Sequence, residues 1–216
     1  SQHLQAGETV LDLGSGAGKI CYIASQVVGA GGKVIGVDMT PEMLGLAEKY
    51  RQSIGDRLGY HNVEFHRGKI QDLRTDFGAA DAYLRKHPVQ SVEDFQAFES
   101  AMTKQKTSRP LIGDASVDVV VSNCVLNLVQ DSDKRALFNE IFRVLRKGGR
   151  AVISDIVADE PVPDRLKADP ELWSGCVSGA MQEKDFIQAF EAAGFYGMAI
   201  LKRDERPWQT VEGIEF

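Results

Sequence analysis

The sequence predicts an α/β protein in three layers, a mainly parallel sheet with helices on both faces. Three observations carry this. Apolar runs at Thr9 to Leu13, Lys33 to Val37 and Val117 to Ser122 have the length and continuity of strands buried on both sides. Each gives way to a segment of helical period, so strand and helix alternate along the chain. The first run also breaks into glycines at every second position, Gly14, Gly16 and Gly18, before a helical pattern resumes at Ile20. That is a strand turning into a helix around a bound molecule, with side chains removed where backbone passes close to it.

Taken in order, Ile20 to Val28 suits a helix, and Gly29 to Gly32 turns the chain into the strand Lys33 to Val37. Thr40 is placed as an N-cap with Pro41 at the first helical position. Met43, Leu46, Ala47 and Tyr50 then recur at i, i+3, i+4 and i+7, predicting a helix packed by its apolar face. Asn62 to His66 alternates as a short third strand. Residues 74–114 form an insertion with two helices, Ala80 to Arg85 and Val92 to Met102, separated by His87-Pro88. It is either a surface decoration or a lid over the site. After the central strand Val117 to Ser122, Asp131 or Ser132 caps a helix in which Leu137, Ile141, Val144 and Leu145 share a face and which Gly148-Gly149 stops. Arg150 to Val157 reads as a fifth strand, and Pro161, Pro163 and Pro170 hold an irregular connection. Glu183 to Ala193 is a helix with Phe186, Ile187 and Phe190 inward. Phe195 to Leu201 is a strand, and Gly213 to Phe216 is one beginning. The expectation is a single Rossmann-like domain over residues 1–216, trimmed at both ends.

Composition narrows the partners. The 216 residues carry 25 basic and 31 acidic side chains, a net charge of −6, and no long basic run, so a nucleic-acid surface is not indicated. No apolar run approaches a membrane span, and Ser1-Gln2-His3 lacks the regions of a signal peptide. The expectation is a soluble, cytoplasmic protein acting on a small molecule, without membrane. Cys21, Cys124 and Cys176 are odd in number, widely spaced and without a C-x-x-C pair, which argues against a disulfide framework and against structural zinc.

The ligand follows from two acids. Asp38 ends the second strand twenty residues after Gly18, where a carboxylate can bind both hydroxyls of a ribose. A dinucleotide fingerprint needs a further glycine at position 19, which is Lys19. Asp12, two residues ahead of the loop, repels a pyrophosphate but answers an ammonium. A ligand with an ammonium at one end and a ribose in the middle fits S-adenosylmethionine better than a nicotinamide dinucleotide. Asp12, Gly14, Asp38, Ile70, Gln71, Asn123 and Cys124 all fall on the carboxyl edge of the expected sheet, where such ligands sit. No D/N-P-P-Y element follows the fourth strand, which weakens an amino-group acceptor. Cys124 stands there instead, and a later loop carries Cys176. Converging thiolates select soft, thiophilic centres, although a buried cysteine is more often an inert small hydrophobe. Cys21, in the first turn of a helix, is a third possible ligand.

The segments Val10-Leu11-Asp12-Leu13-Gly14-Ser15-Gly16-Ala17-Gly18, Cys21-Tyr22, Gly36-Val37-Asp38-Met39-Thr40, Val120 to Leu128 with its Ser122-Asn123-Cys124, and Leu172-Trp173-Ser174-Gly175-Cys176 together resemble the arsenite S-adenosylmethionine methyltransferases. The glycine motif is shared by many methyltransferases, whereas the Ser-Asn-Cys and Trp-x-x-Cys segments about fifty residues apart are specific to this family. The resemblance implies a class I S-adenosylmethionine methyltransferase for arsenite detoxification, in which Cys124 and Cys176 hold As(III) as thiolates. Arsenic attacks the methyl carbon and S-adenosylhomocysteine leaves. It implies Asp12 and Gly14, Ser15, Gly16 and Gly18 at the methionine end of the donor, Asn123 near it, Asp38 and Met39 at the ribose, and Ile70 and Gln71 at the adenine. It also implies arsenite or its thiol conjugates as substrate, thioredoxin or glutathione as reductant, and a further arsenic-binding cysteine upstream of the first strand. Ile20 and Gln71 stand where the family usually carries an acid. Two other readings of the same residues are a methyltransferase for an organic acceptor such as a quinone, and a thiol-based metalloid-binding module without turnover.

Overall fold

Five strands in the order β3-β2-β1-β4-β5 build the main sheet: β1 (Thr9–Leu13), β2 (Lys33–Asp38), β3 (Val63–Arg67), β4 (Val117–Asn123) and β5 (Leu145–Ser154). The computed structural model describes residues 4–203, 208–210 and 213–216, so Ser1 to His3 lie outside the described residues. β1 pairs parallel with β2, and β2 with β3, the sheet being mostly parallel. Helices α1 (Lys19–Val28) and α2 (Pro41–Leu58) cross between the first three strands. The order reverses beside β1, which makes the carboxyl ends of β1 and β4 the switch point of the sheet.

The chain divides into two compact units. Ser1–Val121 with Arg143–Val152 forms the first, Ser122–Phe142 with Ile153–Phe216 the second. In the first, Val10, Leu11 and Leu13 of β1 and Val34 and Val37 of β2 are fully buried, and Cys21, Tyr22, Ala24 and Val28 of α1 pack with Val10, Val34, Val63 and Val119. Each such aliphatic contributes roughly 1.5–3 kcal/mol by leaving water. The insertion forms α3 (Phe77–Lys86), capped by the Asp76 side chain, and α4 (Val92–Ser108), capped by Ser91.

In the second unit, Leu126–Leu128 makes one 3₁₀ turn before α5 (Asp131–Val144). The short strands β6 (Val157–Ala158) and β7 (Met181–Gln182) pair parallel, and α6 (Asp164–Lys167), α7 (Pro170–Ser174) and α8 (Glu183–Ala192) complete it. Phe138, Phe186 and Phe190 stack edge to face, with Phe190 and Phe138 centroids 4.7 Å apart.

Several expected elements take another form. On α2 the predicted stripe packs inward only at Ala47: Met43, Leu46 and Tyr50 are 36%, 46% and 48% exposed, the buried positions are Ala47 and Gly55, and Ile54 packs half-buried against the core. Small residues let this helix approach closely, and the Ala47 carbonyl accepts from the Tyr22 hydroxyl at 2.5 Å. Asp131 and Ser132 lie inside α5 rather than capping it, and the Asp131 carboxylate pairs with Lys134 and Lys167. Leu145 opens β5 instead of closing α5, so Gly148-Gly149 lies within the strand. The fifth strand ends at Ser154 rather than Val157, because Asp155 turns its carboxylate onto nearby backbone N–H groups and β6 starts a separate ladder. Phe195 to Leu201 is not a strand. Gly194 and Gly197 adopt φ of 109° and 70°, and Tyr196 is 92% exposed, although Phe195 packs against Phe142 and Phe190. At the C-terminus Glu215 forms an isolated antiparallel bridge with Gln209.

Gly36 gives the fold a sharp test. A Cβ there meets Phe65 Cδ1 at 2.7 Å, Ser15 Oγ at 2.8 Å and Cys21 Sγ at 2.9 Å. Gly36→Ala is expected to cost about 1–3 kcal/mol by overpacking, read as a lower urea midpoint; a midpoint equal to the parent's contradicts this packing.

Candidate functional site

The glycine loop is fixed by the end of β2. The N–H groups of Gly14 and Ser15 both donate to the Val37 carbonyl, at 2.8 and 3.1 Å, and Gly16 N–H donates to Asp38 Oδ2 at 2.9 Å. Asp38 Oδ1 accepts from Thr40 N–H at 2.8 Å, and the Asp38 carbonyl accepts from Gly68 N–H at 3.0 Å. Gly14, Gly16 and Gly18 take φ of 70°, 51° and 83°, a region closed to most side chains. Gly18 is also demanded by packing, since a Cβ would fall 2.6 Å from Phe65 Cζ.

Beneath the loop lies a buried polar group. Cys21 Sγ donates to Asp12 Oδ2 at 3.3 Å, and the Ser15 hydroxyl is buried without a hydrogen-bond partner among the described residues. Burial pushes the Asp12 carboxyl up to about 7, opposed by the Cys21 hydrogen bond and assisted by the charge of Asp38. Burial first, then Asp12, pushes the Cys21 thiol far up as well, so it is protonated and suited to packing rather than to reaction. Met39 is 61% exposed, Ile70 is buried, Gln71 half-buried and Asn123 exposed. The structure thus brings Asp12, Ser15, Gly16 and Asp38 into one cluster and ties the turn carrying Ile70 and Gln71 to Asp38 through Gly68. A buried acid without a cationic partner among the described residues, beside an unpartnered hydroxyl, suits a ligand with an ammonium group.

The second unit holds Cys124 and Cys176 together. Cys176 Sγ donates to the Cys124 carbonyl at 2.8 Å, and Cys124 N–H donates to the Ser154 carbonyl at 2.8 Å. Cys124 is exposed, Cys176 buried, and neither forms a disulfide. Their φ values are 53° and 64°; Ala115 is the other non-glycine residue in this region among the described residues. Such backbone costs on the order of 1–3 kcal/mol and persists where the surroundings impose it. Around Cys124 the next residues are held by Asp155, which accepts from Leu126 N–H at 2.8 Å and from Asn127 Nδ2 and Ile156 N–H at 2.9 Å each. Cys176 instead follows the last turn of α7, where Gly175 N–H donates to the Glu171 carbonyl at 3.0 Å and Val177 N–H to the Leu172 carbonyl at 2.9 Å, the usual left-handed end of a helix. Burial raises the Asp155 carboxyl despite these bonds. Burial and the charge of Asp155 raise the Cys124 thiol and push Cys176 up to about 11, Cys124 adding to the latter. From α5, Lys134 Nζ donates to the Gly179 carbonyl at 2.5 Å, and a Cβ on Gly179 would collide with the Asn127 carbonyl. Among the described residues no group of three or more His, Cys, Asp or Glu is placed to hold a metal ion.

Asp155, Asn127 and Lys134 were not singled out for this role by sequence. The available signal was an acid at the end of a strand, as at Asp38. No helix among the described residues is long and apolar enough to cross a membrane.

Residues 4–194 match the family model described as a methyltransferase domain. The chain is 39% identical over 199 residues to an arsenite methyltransferase of Halobacterium salinarum, covering 92% of this chain and 40% of that protein. It is 36% identical over 189 residues to one of Aquipseudomonas alcaligenes, covering 88% and 44%. The crystal structure of an arsenic(III) S-adenosylmethionine methyltransferase from Chlamydomonas reinhardtii superposes with a TM-score of 0.65 at 33% identity, over 88% of this chain and 52% of that one. The chain therefore spans about two fifths of the length of the curated relatives it matches.

The buried acid predicts a pH signature. Asp12 keeps its proton to higher pH when folded, so the folded state binds more protons between about pH 4 and 7, and stability falls as pH rises through that window, then levels. Its share of the slope approaches roughly 1.4 kcal/mol per pH unit. Urea denaturation across that range is expected to give a shallower slope for Asp12→Asn; an unchanged slope removes Asp12 from the account.

Proposed function

The chain belongs to the methyltransferase-domain family, and on that premise we propose that it transfers the methyl group of S-adenosylmethionine to trivalent arsenic held by Cys124 and Cys176. The observation that carries the acceptor is the pair of cysteines in left-handed backbone, with the thiol of one on the carbonyl of the other. The left-handed backbone of Cys124, held beside a second soft ligand at the end of α7, is the kind of feature from which a hypothesis of function follows.

On the donor side, Asp12 and the loop Gly14 to Gly18 receive the methionine end with Asn123 nearby, Asp38 and Met39 the ribose, and Ile70 and Gln71 the adenine. S-adenosylmethionine, when bound, supplies a methyl carbon made electrophilic by its sulfonium. Asp12 balances the ligand's ammonium, and arrival of that cation favours the ionised carboxylate, so binding near pH 7 releases part of a proton.

On the acceptor side, the raised thiols of Cys124 and Cys176 are protonated near neutral pH. Each displaces one hydroxyl of arsenite: the S–As bond forms, the As–O bond breaks, and the thiol proton leaves with the hydroxyl as water. The bound arsenic keeps its lone pair, which is the nucleophile. Methylation raises arsenic to the pentavalent state; two-electron reduction back to trivalent arsenic oxidises a pair of thiols to a disulfide, which thioredoxin or glutathione reduces. Arsenite or its thiol conjugates are the substrates, in a detoxification role in the cytoplasm.

Cys124→Ser and Cys176→Ser separate this reading from an organic acceptor. Each is expected to lower methylarsenic formation by more than the roughly 10–100-fold that loss of an outer-shell ligand partner costs, with affinity for S-adenosylmethionine unchanged. Methylarsenic formed at the parent rate by both variants overturns the thiolate assignment. Tight binding of arsenite and donor without any product favours the non-catalytic module.

A further inference from the structure

The insertion contributes little to the core. Ala80 is the buried residue of α3, and α4 has none. The two helices meet through Tyr83 and Phe98, with centroids 5.9 Å apart. What the insertion does hold is the turn after β3.

Asp72, next to Gln71, accepts from Lys106 Nζ of α4 at 2.9 Å and from the Thr75 hydroxyl at 2.5 Å on one oxygen. Its other oxygen accepts from the N–H groups of Arg74 and Thr75, at 3.2 Å each. Burial alone raises the Asp72 carboxyl, but Thr75 and Lys106 outweigh it and leave it below the usual range, so it is ionised against Lys106 at neutral pH. Gln105 Nε2 donates to the Arg74 carbonyl at 3.0 Å and to the Arg109 carbonyl at 2.7 Å, and its Oε1 accepts from Asp76 N–H at 3.3 Å. Just beyond α4, the N–H groups of Leu111 and Ile112 donate to the carbonyls of Arg74 and Leu73 at 3.1 and 2.9 Å. Leu111 also covers Gly68, where a Cβ would lie 2.6 Å from its Cδ2.

A lone half-exposed ion pair is worth little. Here the pair is one of several bonds that converge from residues 105–112 on a single turn, and the same turn carries Ile70 and Gln71. We propose that α4 braces the adenine-binding turn, with Gln105 and Lys106 as positioning residues that hold residues 68–76 in the shape that receives the adenine. The proposal rests on the donor-binding reading above. A turn ordered before the ligand arrives spares the ligand the cost of ordering it. Because the adenine is remote from the reacting methyl, that gain is shared by ground and transition states, so it is felt in KM rather than in kcat.

The test uses the whole chain and S-adenosylhomocysteine as the probe, with Lys106→Met, Gln105→Ala, their combination and the conservative Lys106→Arg. Calorimetry is expected to show the dissociation constant rising roughly 10-fold in the double variant, the scale for loss of an outer-shell partner. Without ligand, the amides of residues 72–75 exchange faster, arsenite affinity is unchanged, and Lys106→Arg restores most of the nucleoside affinity. In turnover, KM for S-adenosylmethionine rises while kcat at saturating donor holds. Faster exchange with an unaltered dissociation constant overturns the brace and leaves the insertion a decoration. Parallel loss of arsenite and nucleoside affinity, not restored by Lys106→Arg, overturns it in favour of a general structural role. A parent chain that does not bind S-adenosylhomocysteine removes the donor-binding reading and the brace with it.

Discussion

The carboxylate and carbonyl of Asp38 are the fastening on which the donor half depends. One residue at the tip of β2 takes the Gly16 N–H of the loop before α1, the Thr40 N–H at the start of α2, and the Gly68 N–H of the turn after β3. Three connections leaving three adjacent strands are thereby drawn to one point. A parallel sheet supplies such a point because all its strands end on the same side. The same arrangement explains Asp12. With Asp38 committed to backbone, Asp12 carries the uncompensated acidity beneath the loop, shared with a protonated thiol and, among the described residues, no cation.

Asp155 plays a comparable part for the thiols. It ends β5, captures the backbone at Leu126 and Ile156, and fixes Asn127, so the segment around Cys124 is held in a conformation that its sequence alone disfavours. Its charge works against thiolate formation. On the function proposed above, that suits ligands that stay reduced and protonated until a thiophilic centre replaces the proton. Cys21 shows the contrast: equally free of disulfide, it is packed under the glycine loop with its proton on Asp12, and nothing strains its backbone.

What was legible in the sequence had a local cause. The strand and glycine pattern around β1, the presence of two helices in the insertion, though each runs longer than its expected Ala80 to Arg85 or Val92 to Met102, and the acids Asp12 and Asp38 near the strand ends follow from period, spacing and residue chemistry. What was not legible depended on partners distant in sequence. The apolar stripe of α2 has helical spacing, yet the contact is made by Ala47, Ile54 and Gly55, because closeness to Tyr22 and His61 decides which face goes inward. Phe195 to Leu201 is a mostly apolar run like a strand but pairs with no edge among the described residues, and Gly194 and Gly197, both with positive φ, precede and interrupt it. Asp155 and Lys134, which hold the segments following Cys124 and Cys176, carry no motif of their own, since their meaning lies in backbone groups contributed by other segments.

The central claim is that the loop fastened by Asp38 and the thiol pair shaped by Asp155 serve one reaction. The direct measurement is incubation of the chain with methyl-labelled S-adenosylmethionine, arsenite and a thiol reductant, followed by arsenic speciation. The expected result is label in methylated arsenic, with one S-adenosylhomocysteine formed for each methyl transferred. Arsenic that stays wholly inorganic, with the label still on its donor, contradicts it.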